Sequence, residues 1–223
     1  MKQPGGKHMD FLKIVIDTYP IFLKGMLLTF QLTAIAVLIA IVIGLFFAFL
    51  KISPVKILQY IADLYIFVVR GTPLIVQIFI FYYGLTSINL PSFWAVALGL
   101  AFHNGAYIAE IFRGSIQSVD RGQMEAGRSL GMSMSLTMRR IILPQAFKRA
   151  LPPLGNQFII AVKDSSLASF IGMYELFSVA TTLGSNNFDY MTYLLVVAIY
   201  YLVLVFVFTI IVNIIEKRLS VSD

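Results

Sequence analysis

Gly25 to Leu50 reads GMLLTFQLTAIAVLIAIVIGLFFAFL, about 26 residues without Asp, Glu, Lys or Arg. A helix rises about 1.5 Å per residue, so the run outreaches the ~30 Å hydrocarbon layer of a bilayer and predicts one tilted membrane span. It is longer than a signal-peptide core and no small-residue cleavage pattern follows it, so it reads as a retained span. Working outward, charges leave four further apolar segments: Ile57–Tyr83, Pro91–Phe112, Ala150 to about Gly172, and Tyr190–Ile215. Residues 1–8, MKQPGGKH, read as an expression remnant. Residues 9–24 mix apolar and charged side chains in a pattern that predicts a short interfacial helix.

Composition agrees with a membrane solvent. Of 223 residues 59% are hydrophobic and 13% charged, against about a quarter charged in soluble domains. Mean hydropathy is +0.86. With no cysteine, disulfides and thiolate metal sites are excluded. The two histidines, His8 and His103, belong to no Asp, Ser or His cluster of the kind an enzyme site needs. No Gly-rich phosphate loop is present, so energy has to come from a partner or an ion gradient.

Lys and Arg set the expected orientation. Lys51 and Lys56 fall in the first connection, a run of basic residues from Arg113 to Arg149 fills the third, and Lys217 and Arg218 follow the last span. Residues 84–90 and 173–189 contain neither. The positive-inside rule then puts the basic connections and the C-terminus in the cytoplasm and the N-terminus outside. The expectation is an all-α polytopic membrane protein with five transmembrane helices, one transmembrane domain over 25–218, and a cytoplasmic loop over 113–149.

That loop is too long for a turn. Gln123 to Met132 reads as a short helix stopped by Gly131, with Glu125 in its first turn, where a carboxylate suits the helix dipole. Ala126, Gly127 and Gly131 leave a face that another protein can approach closely. Leu130 supplies an apolar knob. Pro144 is expected to interrupt the chain before the next span.

Glu125-Ala126-Gly127, three residues, Gly131, nine residues, Ile141, one residue, then Leu143-Pro144 resembles the cytoplasmic signature of bacterial ABC importer permeases. Gly127 stands where that pattern usually has Ala. Arg70-Gly-Thr-Pro-Leu74, Ala109-Glu-Ile-Phe-Arg-Gly114, Leu143-Pro-Gln-Ala146, Leu151-Pro-Pro-Leu-Gly-Asn-Gln157 and Lys163-Asp-Ser-Ser-Leu167 are similar to the polar amino acid subgroup. The resemblance implies a type I importer permease fold in the bacterial cell membrane. It also implies that this chain is not itself an enzyme and carries no cofactor, ATP being bound by partner subunits. The implied partners are two ATP-binding-cassette ATPase subunits, a second permease copy or close paralogue (a homodimer in the first case), an extracellular amino acid-binding protein, and lipid. Nucleic acid is not among them. In that family the segment matching Glu125–Gly131 is the coupling helix.

Ionisable groups at bilayer depth are costly and usually face a cavity or a partner. Lys163-Asp164, followed by Ser165 and Ser166 and preceded two turns earlier by Asn156 and Gln157, could meet the carboxylate, ammonium and side chain of an amino acid. The structural alternative pairs Lys163 with a carboxylate on another helix. Arg70-Gly71-Thr72-Pro73 predicts a broken helix whose Thr72 and Arg70 line a path. The alternative there is a packing kink with Arg70 neutralised by Asp63 or Glu110. Glu110 and Arg113, three residues apart, are expected to pair with each other or with the coupling segment. A gradient-driven amino acid carrier, protonating at Asp164 or Glu110, is the competing function.

Overall fold

A computed structural model describes residues 11–220; the 1–8 segment read as a remnant lies outside them. Among these residues three helices are long and apolar enough to cross a membrane, and two bent helix pairs raise the number to five if each pair is one span.

The first helix, α1 (Phe11–Ile52), runs 42 residues. The separate interfacial helix expected over 9–24 is not seen among the described residues: Phe11–Lys24 is continuous with the first span. Gly25 does not end the helix because it serves close packing. A Cβ there would stand 3.1 Å from the backbone of Leu176. Pro20 sits inside α1 without terminating it.

Along α1 a stripe of small residues, Ala36, Ala40, Gly44 and Ala48, recurs every four positions and is buried. It faces α4 (Ser92–Gln117). A Cβ on Gly44 would lie 3.0 Å from the amide nitrogen of Ala109. In lipid no hydrophobic drive presses helices together, so such close approach is the main source of association.

The second apolar segment is broken, as the sequence predicts. α2 (Lys56–Gly71) stops at Thr72, which is extended (φ −117°, ψ 143°); α3 (Leu74–Phe79) leaves at 104° and continues into a π turn over Ile80–Gly84. Pro73 explains the break: it donates no N–H and disfavours helical backbone at Thr72.

After α4 the chain forms α5 (Arg121–Ser129), α6 (Met134–Thr137), a π turn (Met138–Ile142) and α7 (Leu143–Asp164). Contrary to expectation, Pro144 does not interrupt the chain. It occupies the first turn of α7, where a missing N–H removes no helical bond. A 3₁₀ segment, Ser165–Ile171, ends at Gly172 (φ +76°), and α8 (Leu176–Asn187) departs at 49°. The last helix is α9 (Tyr190–Ser220).

The two breaks pack into one apolar cluster. Leu74 and Ile78 from the first meet Ala168, Ile171 and Met173 from the second, between Leu32 and Ala36 of α1 and Val96, Ala97 and Leu100 of α4.

Candidate functional site

A backbone carbonyl at membrane depth needs a donor from within the protein. Pro73 deprives Val69 O of its helical donor, and the Gln77 side chain supplies one. Gln77 Nε2 donates to Val69 O (2.9 Å) and to Thr72 Oγ1 (2.8 Å), while its Oε1 lies 3.2 Å from His103 Nδ1. Because that amide oxygen only accepts, the histidine donates from Nδ1. The His103 ring packs on Tyr107 with centroids 5.2 Å apart, and the Arg70 guanidinium stands 5.1 Å over the Tyr107 ring.

Arg70 and Thr72 are exposed at the break, and a cavity of about 540 Å³ opens beside Arg70, lined also by Lys51, Asp63, Phe67 and Tyr107. Arg70 is not neutralised by Asp63 or Glu110. Lys51 Nζ takes both carboxylates, at 2.8 Å each, and Glu110 also pairs with Arg113 at 2.7 Å. Lys51 ends α1 and therefore reaches α2 and α4 together; Arg70 sits two turns past Asp63.

On α7 the expected polar residues divide. Gln157 is buried and donates to Asn104 Oδ1 at 2.7 Å, and Asn104 in turn donates to Leu100 O. Asn156 and Lys163, seven residues apart and so on one helix face, are exposed; Asp164 is half-buried. Lys163 joins no ion pair among the described residues. Ser165 is buried with its hydroxyl donating to Val162 O, and Ser166 is half-buried. The structure thus leaves Asn156, Lys163 and Arg70 open and commits Gln157 and Ser165 to internal bonds; Thr72 is exposed, but its hydroxyl donates to Val68 O and accepts from Gln77. The cavity beside Arg70 is not lined by Lys163 or Asp164.

The 113–149 loop holds a discrete helix. Asp120 Oδ1 accepts from Gly122 N at 2.7 Å and caps α5, so the helix starts at Arg121. Glu125 therefore lies beyond the first turn rather than in it. At the other end Gly131 adopts φ +82°, with Gly131 N donating to Arg128 O and Met132 N to Gly127 O. This is a Schellman stop, which glycine adopts without strain. Glu125, Ala126, Leu130 and Gly131 are exposed, Leu130 to 82%. Gly127 is not on that open face. It is buried against Thr137, whose Cγ2 would stand 2.6 Å from an added Cβ. Arg149 of α7 reaches back to donate to Ser118 O, tying the loop to the span behind it.

Three of the buried polar residues that sequence reasoning missed hold the breaks and the helix after them. Glu175 is wholly buried; its Oε1 accepts from Ser178 N (2.7 Å) and its Oε2 from Phe177 N (2.8 Å) and Tyr201 Oη (3.3 Å). Thr29 of α1 lies against the same group and accepts from Leu176 N. Gln77 is the third. Its only sequence signal is position, one turn past a proline that orphans a carbonyl.

Bent helices with polar groups open at their breaks, and a doubly capped helix presented by a basic loop, define a membrane permease component. Over residues 40–221 the chain matches the family described as "Binding-protein-dependent transport system inner membrane component", and it belongs to that family. It is 39% identical over 208 residues to the "Probable amino-acid ABC transporter permease protein YckA" of Bacillus subtilis, covering 92% of each chain. To the "L-cystine transport system permease protein TcyB" of the same organism it is 38% identical over 205 residues, covering 91% of this chain and 88% of that one. Among solved structures, one described as "Crystal structure of an amino acid ABC transporter with histidines" superposes with a TM-score of 0.88 at 42% identity, over 94% of this chain and 99% of that one. The chain is thus a membrane-embedded, non-catalytic transport component.

Proposed function

We propose that this chain is the translocation subunit of an ATP-driven importer of polar amino acids in a bacterial cytoplasmic membrane. The observation that carries the reading is α5: a nine-residue helix, capped at both ends, with Glu125, Ala126, Leu130 and Gly131 open to a partner. The amino acid assignments of the relatives and of the solved transporter support the substrate class. Five spans with the N-terminus outside put the basic loop and α5 in the cytoplasm, which agrees with the distribution of Lys and Arg.

In this reading two ATPase subunits receive the α5 helices of two permease copies, or of this chain and a paralogue, and a binding protein delivers solute from outside. Closure of the ATPases moves α5. Gly127 packed on Thr137 and Arg149 bonded to Ser118 pass that movement to α7. Arg70, Thr72, Asn156, Lys163 and Asp164 face the solute, the cations taking its carboxylate and Asp164 its ammonium. Ser165, Ser166 and Gln157 shape that wall from behind. Such a shift works only if each state binds its partners differently; ATP supplies the difference through the partner subunits.

A mild-detergent pull-down of the chain from its native membrane tests this. Recovery with a nucleotide-hydrolysing subunit is expected. Recovery alone across several gentle detergents would replace this reading with a gradient-driven carrier.

A further inference from the structure

We propose that His103 and Asn104, adjacent on α4, are positioning residues that hold both helix breaks in register, His103 through Gln77 and Asn104 through Gln157. The inference rests on the reading of Arg70, Thr72, Asn156 and Lys163 as solute-facing groups, and concerns how they are held rather than what they bind.

Neighbouring residues on a helix point about 100° apart, so one turn of α4 serves two different spans. On one side His103 meets Gln77, whose amide is fully committed: its donors go to Val69 O and Thr72 Oγ1, its acceptor to the imidazole. A leucine at 77 would fill similar space and leave Val69 O only the long contact from Thr72 Oγ1 at 3.5 Å. Tyr107, one turn along α4, receives the Arg70 guanidinium. The first break is therefore fastened to α4 at two points, one behind Thr72 and one beneath Arg70.

On the other side Asn104 is wholly buried and bonds Gln157 across 2.7 Å. With Gln157 pinned inward, the rotation of α7 about its axis is fixed, and Asn156 and Lys163 fall on the open face. Buried polar pairs of this kind specify one register where apolar packing tolerates several. Neither glutamine needs to touch the solute for the presented groups to depend on it.

The test uses the complete complex with its ATPase and binding protein, reconstituted in vesicles. Uptake of labelled amino acid is measured against concentration for Gln77→Leu, His103→Leu, the double variant and His103→Asn. Loss of the Gln77–His103 bond predicts a KM raised about tenfold in His103→Leu and at least as much in Gln77→Leu, which also releases Val69 O and Thr72, with kcat and ATP hydrolysis within about twofold of the parent. The double variant should be no worse than Gln77→Leu alone, because that change already removes the bond to His103. His103→Asn, which still offers an amide donor, should return KM to within about threefold of the parent. An unchanged KM in assembled leucine variants, multiplicative effects in the double variant, or His103→Asn as impaired as His103→Leu would overturn the proposal. If Gln77→Leu does not assemble, the comparison of His103→Asn with His103→Leu decides alone. A parent complex that hydrolyses ATP and imports no amino acid would sink the proposed function instead, an outcome distinct from these.

Discussion

Gly127 lies so close to Thr137 that a Cβ on the glycine would stand 2.6 Å from the threonine Cγ2 and 2.9 Å from its Oγ1. Thr137 is itself buried, and its hydroxyl is held by Ser133 O at 3.0 Å, so it has little room to yield. The position where related signatures usually carry alanine is thus a contact between α5 and the helix behind it, and its glycine is matched to the threonine.

Overpacking by a methyl group at such a site costs on the order of 1–3 kcal/mol. Gly127→Ala should therefore lower the thermal midpoint of the purified protein in detergent. Gly127→Ala combined with Thr137→Ser, which removes Cγ2 and keeps the hydroxyl, should recover most of the loss. Equal midpoints for the single and double variants would show that the helices simply move apart.

The open face of α5 makes a different prediction. Glu125→Lys and Leu130→Asp should reduce recovery of the ATPase subunit, or leave it hydrolysing ATP without import, with little change in the chain's own stability, since both side chains are exposed. Gly131 needs two variants. At φ +82° any side chain is strained by about 1 kcal/mol, so Gly131→Ala reports strain alone. Gly131→Trp should uncouple well beyond it. Matching behaviour of the two would remove Gly131 from the docking surface.

Glu175 predicts a stability effect with no charge partner involved. Its two oxygens cap α8, and Tyr201 and Thr29 bond it from α9 and α1. Glu175→Ala removes the cap and strands buried donors, a loss of about 2–3 kcal/mol. Glu175→Gln keeps one accepting oxygen and should cost less. Thermal unfolding in detergent ranks the two, and the reverse order would count against the capping role.

Asp164→Asn is expected to impair amino acid uptake while co-purification of partners is unchanged. Identical uptake kinetics for every polar amino acid tried would take Asp164 off the path.

Much of the architecture was legible because lipid forbids isolated charges. The gaps between Asp, Glu, Lys and Arg located the spans, and Arg70–Pro73 announced its break, since proline acts through its own backbone. The limits also had physical causes. The residues 9–24 carry interspersed charge, yet a helix continues wherever nothing stops it, and Gly25 was needed for packing on Leu176. Pro144 fell in a first turn, where proline is harmless. Lys51 took Asp63 and Glu110 because the end of α1 meets α2 and α4 there, a fact that no single segment contains. The burial of Glu175 was unreadable for the same reason: its donors come from α8, and the groups around it come from helices some 26 and 146 residues away in sequence.

α1 spans about 63 Å at 1.5 Å per residue, twice the hydrocarbon thickness. Its small-residue seam against α4 leaves the two helices almost no clearance. Bending this pair would mean opening that seam along much of its length, whereas turning at Thr72 or at Gly172 disturbs a few residues. The pair behaves as a mast, and the breaks on the second and fourth spans are the joints where booms attach. If α5 couples as proposed, a rigid mast confines motion to those booms, and a movement started at α5 should emerge as rotation of α3 and α8.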